Sequence, residues 1–181
     1  MAMDFAESYL QDVRELAAYY KRLADDAITQ VDDAGFFALP GDGENSIALV
    51  VKHMAGNLRS RWTDFLTTDG EKPDRYRDAE FEMEGADTRE ALLSAWERGW
   101  ATFLGTLGAL TPEDLGRTVH IRGEPYGVTR AINRGVAHAC YHVGQIVLLA
   151  RHYAGPQWRT LSIPRGQSAT FDAEAARYGR R

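Results

Sequence analysis

Cysteine is almost absent from this chain. Cys140 is the only one in 181 residues, so no internal disulfide can form and no thiolate cluster can hold zinc. Long apolar runs are missing as well, and nothing approaches the roughly 20 residues that cross a bilayer. The N-terminus, Met1-Ala2-Met3-Asp4, lacks the basic and apolar regions of a signal peptide. A cytoplasmic protein without a membrane partner is therefore expected. Basic charge is in short supply, with 21 Lys and Arg against 26 Asp and Glu and a formal net charge of −5. Nucleic-acid binding calls for a clustered basic face; Arg59 and Arg61 are too few to supply one, and no nucleic-acid partner is expected. Also lacking are a Gly-rich phosphate loop, a nucleophile elbow and a convincing Ser/His/Asp triad.

What remains is the composition of a folded domain, 44% apolar and 26% charged, long enough to bury a core without metals or disulfides as props. Tyr9, Val13, Leu16, Tyr20, Leu23 and Ala27 recur at spacings of three and four and predict a first amphipathic helix over about residues 4–31. Phe36 to Gly43 then turns the chain with Pro40, Gly41 and Gly43. Asn45 or Ser46 caps a second helix that runs to about residue 67 through Ile47, Val50, Met54, Leu58 and Trp62. Residues 67–86 carry many charges and no sustained period, which reads as a solvated connector. A loop that long suits a helical bundle with a crossover.

Asp87 or Thr88 caps a third helix through Leu92, Trp96, Trp100, Phe103 and Leu107, whose two tryptophans, four apart, read as core anchors. Thr111-Pro112 opens a single helical turn ending at Gly116. Thr118–Ile121 and Tyr126–Val128 alternate about Arg122-Gly123-Glu124-Pro125 and predict a small hairpin. The fourth helix follows and stops at Gly155-Pro156. Beyond it, Leu161 to Gly166 reads as an extended segment lying on the helices, with fraying expected at the last residues.

Within the fourth helix, His138 and His142 stand four apart, so both imidazoles can reach one ion. His53 lies on the shoulder of the second helix's apolar stripe, and the histidine pair lies on the corresponding shoulder of the fourth. Ala131 and Gly135 beside the pair leave room for an ion and a substrate. The spacing alone is a weak motif, and two helix histidines unrelated to any metal fit it too. Cys140 points about 200° away from His138 and cannot share an ion with it; a packed thiol is expected. His120 reads as an edge residue of the hairpin. His152 belongs to the helix terminus, roughly 15 Å along the axis from His142.

Four helices, a histidine near the middle of the second and a His-x-x-x-His pair on the fourth resemble the DinB-like superfamily of metal-binding bundles, which includes YfiT-type proteins. The motif words are more specific than the spacing. Glu44-Asn45-Ser46-Ile47-Ala48, Val51-Lys52-His53-Met54-Ala55-Gly56-Asn57, Arg61-Trp62-Thr63-Asp64-Phe65, His142-Val143-Gly144-Gln145-Ile146 and Leu161-Ser162-Ile163-Pro164-Arg165-Gly166-Gln167-Ser168 resemble one uncharacterised subfamily of that group. The resemblance covers nearly the whole chain.

It implies an all-α fold, a four-helix bundle over residues 1–155 with a long crossover between helices 2 and 3 and a small hairpin before helix 4. Residues 156–181 would form an extended tail packed on that bundle. It further implies a divalent metal ion, zinc or nickel, held by His53, His138 and His142. Three imidazoles without a fourth protein ligand match an open catalytic site. Asn57, Arg134 and Gln145 lie nearest the ligands on their helices and are candidates for contacts to substrate or bound water; Arg134 would suit a carboxylate. Characterised relatives of the superfamily imply a metal-dependent transferase or isomerase that uses a low-molecular-weight thiol and an electrophile, and a homodimer. A non-catalytic metal-binding protein of stress response or partner binding is the alternative.

Overall fold

A computed structural model describes residues 4–170. It is mainly helical, with five helices and one two-stranded hairpin. Helix α1 (Phe5–Ile28) buries Leu10, Val13, Ala17, Ala24 and Ala27. Of the expected stripe Val13 and Ala27 are buried, while Tyr9, Leu16, Tyr20 and Leu23 lie partly buried at its edge, so the buried face is rotated toward the smaller side chains. The next segment is not a plain turn: Asp32 accepts a hydrogen bond from the Gly35 amide at 2.8 Å and caps a one-turn helix α2 (Asp33–Phe37). Its Phe36 is wholly buried. Five residues hold too little period to register as a helix; burial of one aromatic side chain decides the segment.

Helix α3 (Ile47–Trp62) starts at Ser46, whose hydroxyl accepts from the Leu49 amide at 3.1 Å. It stops at Trp62, short of residue 67, because Thr63 turns extended and Asp64 takes the left-handed region at φ 48°. Asp tolerates that conformation better than most side chains. Phe65 still enters the core from the turn, which is why apolar spacing overran the helix end. Thr88, rather than Asp87, caps helix α4 (Arg89–Ala109) by accepting from the Ala91 amide; Asp87 pairs with Lys52 at 2.7 Å. The turn at Pro112–Gly116 has its expected threonine, with the Asp114 carboxylate accepting from the Thr111 amide at 3.0 Å.

Strands β1 (Thr118–Ile121) and β2 (Glu124–Gly127) pair antiparallel with Ile121 opposite Glu124. The two-residue turn between them needs positive φ at Arg122 (57°) and Gly123 (77°). Asp69 holds that turn by accepting both amides, at 2.8 and 2.7 Å. Helix α5 (Val128–Ala154) closes the set at Gly155, φ 53°.

Helix α1 packs on α5 and α3 on α4, while α3–α5 and α1–α4 contacts join the two pairs. Trp62, Trp96, Trp100, Phe36 and Phe103 fill the common core, so both anchor tryptophans are where their spacing puts them. Trp158 and Leu161 lie partly buried against that core. Residues 171–181, where fraying is expected, lie outside the described residues. Among those described, no helix is long and apolar enough to cross a membrane.

Candidate metal centre

The contact between α3 and α5 brings His53 against His138 and His142. His53 and His142 are buried and His138 is half-buried. One ligating atom from each lies within 4.8 Å of the others. The rings meet through their Nε2 atoms, 3.4 Å between His53 and His138 and 3.2 Å between His142 and His138. Two nitrogens bound at about 2.0–2.1 Å to a tetrahedral ion stand about 3.3–3.4 Å apart. Both separations match that value closely.

Protons make the case independently. Glu80 Oε2 is 2.8 Å from His53 Nδ1, and an ionised carboxylate only accepts, so that nitrogen carries the hydrogen. Gln145 Oε1 is 2.7 Å from His142 Nδ1 and assigns the hydrogen of that ring in the same way. In its neutral form each ring therefore turns an Nε2 lone pair toward His138, whose single Nε2 can donate to one of them at most. Converging lone pairs in a buried site are unfavourable unless a cation sits among them. The three residues thus fit a divalent ion, with the remaining coordination positions left to small molecules.

Electrostatics favour the neutral form of His138 and His142, the form that a metal ligand takes. Burial pushes His138 down to about 3, reinforced by His142, His53, Arg61 and Arg134. Burial also holds His142 below its ordinary value, although the bond to Gln145 opposes the shift. Burial would raise the Glu80 carboxyl, but hydrogen bonds from Arg75 and His53 outweigh it and hold the group below the usual range.

Glu80, Phe81 and Arg75 come from the charged stretch between α3 and α4 and revise its reading as a solvated connector. Glu80 sits in a short turn at Asp78–Phe81 and is buried. Arg75 clamps it with Nε and Nη2, each at 2.8 Å, and Phe81 stacks on the His53 ring at 4.7 Å. Gly56 makes room for this: a Cβ there would stand 2.2 Å from Glu80 Oε1. A buried charged pair in a loop leaves no periodic trace. The one available signal was density of charge in a segment too long for a simple link.

A cavity of about 480 Å³ opens over the histidines and includes Asn57, Arg134 and Gln145 in its wall. Asn57 is half-buried there. Arg134 is exposed, its guanidinium 5.6 Å from the Tyr126 ring. Gln145 acts on the histidine ring, through the bond already described. Cys140 faces Tyr20, and burial raises its thiol; His120 and His152 are exposed and apart from the cluster.

The model of a family described as "Protein of unknown function (DUF1572)" matches residues 4–167. The chain belongs to this family. The DUF1572 match spans both α3 and α5, and so includes all three histidines together with Glu80 and Arg75. A search of curated proteins returns no match.

Proposed function

We propose that this DUF1572 protein is a DinB-like, four-helix-bundle metal protein that binds zinc or nickel through His53, His138 and His142, and that it is a metal-dependent enzyme of thiol-transferase or isomerase type. The observation that carries the reading is three imidazoles in the wall of one cavity, with one ligating nitrogen from each within 4.8 Å of the others. A bound divalent ion supplies Lewis acidity and an exchangeable position that favours the thiolate form of a thiol. The chain's own residues hold and orient. Glu80 and Gln145 keep the Nδ1 protons of His53 and His142 and leave their Nε2 atoms free; Asn57 and Arg134 stand where a substrate would lie. A small-molecule thiol, an electrophile and a homodimer belong to the same reading.

Elemental analysis of the untagged protein and of the triple variant His53→Ala, His138→Ala, His142→Ala tests the metal. One divalent ion per chain in the parent and none in the variant is the expected result; equal metal content in the two overturns it. Thiol consumption by the loaded protein, across a panel of thiols and electrophiles, then tests the enzyme. A loaded protein that consumes none leaves the non-catalytic metal-binding reading, in which the ion ties α3 to α5.

A further inference from the structure

The wall of the cavity carries a charge pattern that metal binding leaves unused. Arg61, Arg75, Arg77, Arg122 and Arg134 line it, and no carboxylate among the described residues does, although the chain as a whole is acidic. Three of these guanidinium groups are compensated from behind. Arg75 is clamped on Glu80, Arg122 Nε lies 3.2 Å from Glu71, and Arg77 lies 3.5 Å from Asp78.

Arg61 and Arg134 lack such compensation. For Arg61 the paired carboxylate oxygen, on Glu71, is 3.9 Å away and is shared with Arg75 and Arg122. Its side chain is only 9% exposed, and its Nη1 has no hydrogen-bond partner among the described residues. Arg134 forms no ion pair among the described residues and has the Tyr126 ring beside it instead. The two groups feel each other: after burial, Arg134 is the largest influence pushing Arg61 down to about 10. Like charges held together at a concave surface are unfavourable until an anion joins them.

We infer that Arg61 and Arg134 form an oxyanion subsite beside the three histidines, which receives the carboxylate or phosphate of a small organic substrate. Guanidinium forks match both groups. Asn57, one turn before Arg61 on α3, adds an amide donor in the same wall. A cavity of about 480 Å³ suits a small molecule and not a polymer. The inference rests on the proposed metal centre for which end of the substrate reacts; recognition of the anion does not need the ion.

Calorimetric titration of the full chain with succinate, glycerol 3-phosphate and the neutral counterpart succinamide tests it. Expected is binding of one or both anions and not of succinamide, weakened about tenfold or more in Arg134→Gln and again in Arg61→Gln. Preference between succinate and glycerol 3-phosphate assigns the group. Arg134 is exposed, so its variant stays interpretable even where loss of the buried Arg61 unfolds the chain. Equal affinity for succinate and succinamide, or an Arg134→Gln protein that binds like the parent, overturns the subsite. The folded triple histidine variant separates the two readings. Anion binding by a parent whose metal content equals that of the variant sinks the metal centre alone, and metal bound by the parent and lost in the variant, with no anion bound by the parent, sinks the subsite alone.

Discussion

At His53 the imidazole is oriented by a carboxylate 27 positions away in the chain, and that carboxylate is held in turn by Arg75. Glu80→Gln keeps the shape but removes the charge that favours a proton on Nδ1. Losing such a supporting carboxylate typically weakens metal binding about 10–100-fold, and competition against a chromophoric chelator should read a loss of that size. Unchanged affinity would mean that Glu80 only fills space. His138 sets a second expectation. Its pKa is about 3 in the folded metal-free protein against 6.5 for the free side chain, so below 6.5 the unfolded chain takes up a proton that the native one refuses. The associated stability is present above pH 6.5 and is lost as pH falls toward 3. Melting of the metal-free protein between pH 7 and 5, above the ordinary carboxylate range, should fall with pH, and His138→Asn should flatten the slope. A slope unaltered by that substitution would assign the loss to other groups.

Two glycines govern how closely the elements carrying the site approach. In α5, a Cβ on Gly135 would stand 2.4 Å from Cζ2 of the buried Trp62. Alanine favours a helix by up to about 1 kcal/mol over glycine, but overpacking a core costs about 1–3 kcal/mol, so Gly135→Ala should be net destabilising in urea. In α3, Gly56→Ala displaces the Glu80 carboxylate and not the core. It should resemble Glu80→Gln in weakened metal affinity with near-parental stability; a Gly56→Ala protein that holds metal like the parent would show that Glu80 can shift without consequence. The helices, their caps and the hairpin were legible from spacing and turn chemistry because both are local. The one-turn α2, the early stop at Trp62 and the buried turn at Asp78–Phe81 were not. Each is decided by what a few side chains meet across the core, and none repeats often enough to show a period.

Across the whole molecule, the proposed ligands tie α3 to α5, helices separated in sequence by α4 and the hairpin. An ion held only by the folded chain adds stability in proportion to its affinity and free concentration. Chelation should therefore lower the melting temperature of the parent by several degrees and leave the triple histidine variant unmoved. A parent insensitive to chelation, despite bound metal, would place the ion outside this cluster. Sedimentation at about twice the chain mass of 20.2 kDa would support the homodimer, and a monomer would remove it.

His138 and His142 share a helix face by the geometry of a single turn, and so that half of the site is a property of the sequence by itself, as are the apolar stripes, the caps and the hairpin. The other half belongs to the tertiary structure. Packing of α3 on α5 sets the separation between His53 and His138. The fold of residues 63–88 brings Glu80, Arg75 and Phe81 to the His53 ring. Burial leaves Arg61 short of counter-charge, and the helix packing sets the exposed Arg134 in the same cavity wall. Those relations join positions distant in the chain through non-repeating backbone, where local spacing carries no information and only the closing of the core selects the partners.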